Sequence, residues 1–181
     1  MNNLEIINVS NGSKDYIGNF TKQENEIILS NLLIGNTIHF FSGNSEIGNK
    51  RIDLYSEKAT DNIDVFDYID FQIKSIENDL TINKYTNLII DSPYNKKFAL
   101  KYDKLFNIDK SLKSKQFIIF ASTKKTTILM NYISNILKPN RIILKSWNYY
   151  IPKGYFLNKG FLCYAGGYRK STILLILDKI K

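Results

Sequence analysis

Several short runs in this chain are apolar almost without interruption: Thr37–Phe41, Leu88–Ile90, Phe117–Phe120, Arg141–Trp147 and Thr172–Leu177. A strand with one wet face alternates apolar and polar residues, whereas a strand buried on both faces has no reason to. Such runs therefore demand a sheet covered on both sides. The segments between them carry helical spacing in places. Ile27, Ile28 and Leu32 lie on one side of a helix over Glu24–Leu33, with Gly35 as its stop, and Ile128, Leu129, Tyr132, Ile133, Ile136 and Leu137 form one stripe over Thr126–Leu137, ended by Pro139. Phe98–Phe106 also reads as helical, and Tyr68–Ile76 fits either state. Arg51–Tyr55 and Ile63–Phe66 read as two further short strands, carrying Asp53 and Asp64, and Gln116–Ala121 contains a fifth. Alternating strand and helix in the second half predicts βα units and a mostly parallel α/β sheet.

With 181 residues, three prolines and no low-complexity linker, the chain reads as one domain over 1–181. Residues 1–33 form an N-terminal extension and helix. No apolar run approaches the ~20 residues that span a bilayer, and Met1–Glu5 lacks the start of a secretion signal, so the expected setting is cytoplasmic (a host cytoplasm if viral), without membrane contact. Cys163 is the only cysteine and His39 the only histidine. An internal disulfide is thereby excluded, and a zinc site or Ser-His-Asp triad would have to be built around one imidazole, so no metal is expected. Charge is split along the chain: residues 1–95 hold 14 acids against 7 bases, and residues 96–181 hold 18 bases against 3 acids. A basic half suits the neutralisation of phosphates.

Ligands of parallel α/β sheets bind beyond the carboxyl ends of the strands. The residues there are Ser42 to Gly48, Asp53, Asp64, Asp91 to Asn95, and Ser122 onward. Asp91-Ser92-Pro93-Tyr94 sets an acid, a stiff proline and an aromatic at the exit of a buried strand, a combination suited to gripping a flat ring that bears an amino group. Asp91 can accept one N–H of the exocyclic NH₂, the Ser92 carbonyl the other, and Tyr94 can stack on the ring. Two acceptors hold the nitrogen lone pair in place, which is catalysis by positioning. Around Gly43, backbone can approach a ligand closely, and a carboxylate such as Asp53 can accept from ribose hydroxyls.

Taken together, Phe41-Ser42-Gly43-Asn44-Ser45, the acids after the next strands, and Asp91 to Tyr94 resemble the class I S-adenosylmethionine-dependent methyltransferases. The branch they resemble modifies adenine N6 or cytosine N4, and the likeness runs from about Thr37 to Leu177. It implies a Rossmann-like methyltransferase fold: a mostly parallel central sheet with an antiparallel last strand, and helices on both faces. It implies S-adenosyl-L-methionine as cofactor, held by Phe41, Ser42, Gly43, Ser45, Asp53 and Asp64, with Asp64 meeting the adenine amino group. The catalytic set would be Asp91, Ser92, Pro93 and Tyr94, and the implied target is adenine N6 in DNA. Three positions depart from the family pattern: Ser92 replaces a proline, Ser45 a glycine, and His39 an acid. Only about seven residues separate the glycine turn from Asp53, so the first crossover helix is short or missing.

Residues 148–170 interleave aromatics with bases and read as a hairpin region. Such interleaving suits phosphates and stacked bases, and Lys153, Tyr155, Arg169 and Lys170, with Lys96 and Lys97 near the catalytic motif, are the candidate nucleic-acid contacts. DNA is favoured over RNA as partner. A chain this short leaves little room for a target-recognition domain, so a homodimer or a helper subunit would supply it. Two alternatives stay open: an RNA methyltransferase on the same fold, and a catalytically degenerate nucleic-acid-binding protein.

Overall fold

A computed structural model of the chain describes residues 3–9, 20–77, 84–92, 123–146, 150–164 and 172–181. Seven strands form a single sheet: β1 (Asn3–Asn8), β2 (Thr37–Phe40), β3 (Lys50–Ile52), β4 (Asn87–Ile90), β5 (Arg141–Ser146), β6 (Tyr155–Tyr164) and β7 (Thr172–Lys179), in the order β1-β6-β7-β5-β4-β2-β3. Neighbours in β3, β2, β4 and β5 pair in parallel, as do β1 and β6, while β7 runs antiparallel between β5 and β6. The expected α/β architecture is present, with a mostly parallel sheet and an antiparallel last strand.

Side-chain parity divides the core into two layers. Leu88 and Ile90 of β4, Ile142 and Leu144 of β5, and Leu175 and Leu177 of β7 pack on one face. Their neighbours Ile89, Ile143, Leu174 and Ile176 pack on the other. Helix α1 (Lys22–Asn31) covers the second face through Ile28. The first is covered by α2 (Val65–Glu77) and by α3 (Thr123–Tyr132), through Val65, Ile69, Leu129 and Tyr132. Helices thus lie on both faces, as the unbroken apolar runs required. The α3 stripe continues through a π-helical turn, Ile133–Leu137, and stops at Lys138, whose φ is 45°, just before Pro139.

Four expectations need correction. Ile63–Phe66 is no strand: Asp64 opens α2, its Oδ1 accepting from the Phe66 N–H at 2.8 Å and its main-chain carbonyl from the Tyr68 N–H at 2.9 Å. An aspartate that can bond the free N–H groups of a helix start outcompetes a short β-prone run, and Val65, Phe66, Tyr68 and Ile69 are spaced to bury one helical side. Strand β3 stops at Ile52, so Asp53 follows the strand instead of lying within it. Gly35 does not end α1, which is capped at Leu32 in extended geometry. It sits at φ 136°, where a Cβ would come within 2.1 Å of Thr86 Oγ1, so glycine is needed there for close approach. Finally, residues 3–8, polar with scattered apolars, form edge strand β1 in register with β6. The readings of Phe98–Phe106 as helix and Gln116–Ala121 as strand lie outside the described residues.

The first crossover contains no helix. Nine residues, 41–49, return the chain from β2 to a parallel β3. So short a return is held by specific bonds: Asn49 N–H to the Thr37 carbonyl at 2.9 Å, Arg51 Nη1 to the Gly48 carbonyl at 2.8 Å, and His39 Nδ1 with the Ile47 carbonyl at 3.2 Å.

Because Asp64 caps α2, Asp64→Ala should cost about 1 kcal/mol of stability. Urea denaturation followed by circular dichroism measures it, and an unchanged midpoint would contradict the capping role.

Candidate functional site

The order β4-β2-β3 sets three parallel carboxyl ends side by side, so the segments leaving them meet along one edge of the sheet. After β2 the chain turns sharply. Phe41 has φ 60° and Gly43 φ 51°, two left-handed residues in three. The N–H groups of Phe41 and Ser42 both donate to the Ile52 carbonyl, at 2.9 and 3.2 Å, and Ser45 N–H donates back to the Ser42 carbonyl at 3.0 Å. A non-glycine residue at positive φ is strained. Here Phe41 keeps it because its ring is locked in the core.

Asp53 ties this turn to the next loop. Its Oδ2 accepts from Gly43 N–H at 3.0 Å, and its Oδ1 from Tyr55 N–H at 2.9 Å and Ser56 N–H at 3.0 Å. Burial raises its pKa, outweighing the three backbone donors that favour the charge. Three of the roughly four acceptor directions of a carboxylate are thereby used, so Asp53 is first a clasp between loops, with capacity left for one further donor.

Asp91 leaves β4 half-buried, its N–H donating to the Phe40 carbonyl at 3.2 Å. That bond fixes the start of the Asp91-Ser92 segment against β2. Ser92 is 1% exposed and Ser42 4%. The hydroxyls of both are buried with no hydrogen-bond partner among the described residues. Buried polar atoms seldom go unpaired, and these two flank the edge where β2 and β4 end. Asp64 stands at the start of α2, where its Oδ1 accepts from the Phe66 N–H. Pro93, Tyr94, Lys96, Lys97, Arg169 and Lys170 lie outside the described residues.

The remaining candidates for nucleic-acid contact are placed elsewhere. Lys153 is exposed and Tyr155 is the first residue of β6, which runs parallel to β4. Both therefore sit at the amino edge, across the sheet from Asp91. Tyr155 is buried, and its hydroxyl donates to the Pro139 carbonyl at 2.7 Å, tying the start of β6 to the turn that enters β5. It is a structural bond, not a surface for stacking. An open cavity of about 790 Å³ also lies at this amino edge, between Leu33, Arg141, Phe156 and Ile180, across the sheet from Asp91 and the glycine turn.

One cluster escaped the sequence reading. Lys145 of β5 is 5% exposed, and its Nζ lies 3.1 Å from Oε2 of Glu24, which is 1% exposed. The same Oε2 accepts from Thr21 N–H at 2.7 Å, completing a capping box at the start of α1. Burial works against the Lys145 charge, but the carboxylates of Asp91 and Glu24 prevail and push its pKa up. Two signals pointed here: Thr21-Glu24 has capping-box spacing, and Lys145 directly follows the buried apolar run Ile142–Leu144.

His39 is fully buried, its ring 5.7 Å from that of Phe20. Burial lowers its pKa to about 4, so it is neutral, and its role is to hold the crossover loop. The Cys163 thiol is pushed up to about 12, chiefly by burial, which leaves it unreactive. Among the described residues no group of His, Cys, Asp and Glu could hold a metal ion, and no helix is long and apolar enough to cross a membrane.

Comparison with protein-family models, with curated proteins and with solved structures finds no significant match.

Two outcomes follow from these placements. The lowered His39 pKa means that its contribution to stability is complete above 6.5 and is lost as pH falls through about 4. The loss is on the order of 3 kcal/mol. Urea titrations across that range should show this slope in the wild type, and His39→Phe should flatten it; equal slopes would contradict a buried neutral imidazole. Tyr155→Phe should lower stability by about 1 kcal/mol, read as a lower urea midpoint at neutral pH.

Proposed function

We propose that this protein is an S-adenosylmethionine-dependent methyltransferase acting on an exocyclic amino group of a nucleic-acid base, adenine N6 in DNA. One observation carries the reading. The glycine turn, the buried Asp53 and the Asp91-Ser92 motif leave three adjacent parallel strands at the same edge, in a sheet whose β7 runs antiparallel between β5 and β6. That arrangement would give the likeness in Phe41–Ser45 and at Asp91-Ser92 a common place to act.

The residues present suit the cofactor. The left-handed turn at Phe41–Gly43 brings backbone close to a zwitterionic amino-acid group, the unpartnered Ser42 hydroxyl can bond it, and Asp53 keeps one acceptor direction for a ribose hydroxyl. When bound, the cofactor supplies an electrophilic methyl on a positively charged sulfur. The role of the protein is then to aim a weak nucleophile. Asp91 accepts one amino hydrogen and the Ser92 carbonyl the other, so that the nitrogen lone pair points at the methyl carbon. Methyl transfer would leave the electron pair of the broken C–S bond on sulfur, and Asp91 and the Ser92 carbonyl would hold the amino group until its displaced proton passes to water. Positioning of this kind needs no strong base, consistent with a site whose one nearby imidazole is buried and committed elsewhere. A base in a duplex has to leave its stack to reach such a site, and the basic second half of the chain supports binding to the phosphates around it.

Calorimetry should detect S-adenosylmethionine binding by the folded protein, and labelled methyl should pass to DNA in preference to RNA. Asp91→Ala should lower transfer at least about a hundredfold with cofactor affinity nearly intact. No cofactor binding at millimolar concentration would overturn the reading, and full activity in Asp91→Ala would overturn the assigned role.

A further inference from the structure

A lysine buried in a parallel strand calls for a reason. Strands β4 and β5 pair in register through Ile90 and Leu144. One step further along that register stand Asp91 and Lys145. Parity puts both on the side of the sheet covered by α1, since Ile89 and Ile143 pack there. Lys145 also pairs with Leu174 of β7, another residue of that layer. The ammonium lies 4.9 Å from the centre of the Phe20 ring and 3.1 Å from Glu24.

For stability alone this arrangement is hard to justify. A buried ion pair can often be replaced by apolar residues of similar size at no loss. Two residues earlier on the same strand, at Ile143, this face of β5 is in fact apolar and fully buried. A fully buried charge occurs on this face at the step beside Asp91; Arg141, at the start of the strand, is only partly buried and pairs with Asp178. Glu24, already oriented by the capping box, fixes Lys145 from the helix side.

We propose that Lys145, clamped by Glu24, is a positioning residue for Asp91: it holds the carboxylate at the exit of β4 in the orientation that receives the amino group. The inference rests on the methyl-transfer reading. Lys145 does not touch substrate; it acts through Asp91. The carboxylates facing it among the described residues are Asp91 from β4 and Glu24 from α1, with the protonated Cys163 thiol from β6 nearby.

Two measurements test the proposal separately from the reading beneath it. The first uses the double variant Glu24→Gln/Lys145→Met, which removes both charges and leaves neither partner buried alone. Its cofactor affinity should stay close to that of the wild type, while kcat falls at least tenfold, about the effect of 1.4 kcal/mol on the barrier. Recovery of wild-type kcat in the folded double variant would reduce Lys145 to a structural role and overturn the proposal. The second needs no activity and stands even if the double variant fails to fold. The ¹⁵N resonance of the Lys145 ammonium is followed in the wild type, Glu24→Gln and Asp91→Asn, without cofactor or nucleic acid. Asp91→Asn should displace it; a resonance that moves in Glu24→Gln but not in Asp91→Asn would refute the coupling. A displaced resonance in a protein that transfers no methyl group would instead sink the enzymatic reading and leave the Lys145–Asp91 coupling standing.

Discussion

A sheet covered by helices on both faces permits polar side chains in few places: the strand ends, the sheet edges, and the rare interior position where a charge is fully paired. The rest of this structure depends on that constraint. The four central strands bury Ile38, Phe40, Leu88 to Ile90, Ile142 to Leu144 and Leu174 to Leu177 almost completely. The polar residues of β2 and β4 are there because they are bonded. Asn87 reaches Leu33 and Thr37, and His39 holds Ile47. Polar groups suited to chemistry are driven to the carboxyl edge, and Ser42, Asp53, Asp91 and Ser92 collect there.

The missing crossover helix changes how that edge is built. In a longer crossover, a helix start would provide backbone donors beside the glycine turn. Here nine residues must return from β2 to β3, and the work of order passes to side chains: His39 to Ile47, Arg51 to Gly48, Asp53 to Gly43, Tyr55 and Ser56. A histidine at position 39 then has a physical account. A neutral ring in a dry layer, stacked on Phe20, can anchor a loop where a carboxylate would need a partner for its charge.

Much of this was legible in the chain because it depends on local rules. Unbroken apolar runs gave away β2, β4, β5 and β7, and the stripe ending at Pro139 gave away α3. Asp64 was misread because a four-residue β-prone run and a capped helix start look alike until the following turn is seen to pack. The strand β1 was missed because an edge strand needs only backbone partners, and Asn3 to Asn8 carries little apolar signal. Tyr155 reads as a stacking platform among bases, yet its place at the amino edge and its bond to Pro139 depend on where β6 begins relative to β5, and no local pattern encodes that.

By itself, then, the sequence determined the class of the sheet, the placing of α1 and α3, and the candidate turn and acid motif at the ends of β2 and β4, because periodicity and turn chemistry act within a few residues. Only the tertiary structure decided which polar residues share a neighbourhood. It turned Asp53 into a clasp and Asp64 into a cap, and it brought Lys145 of β5 and Glu24 of α1, 121 residues apart in the chain, into one buried pair beside Asp91. Pairing across strands and between layers is set by burial and register, and these exist only once the whole sheet has closed over its core.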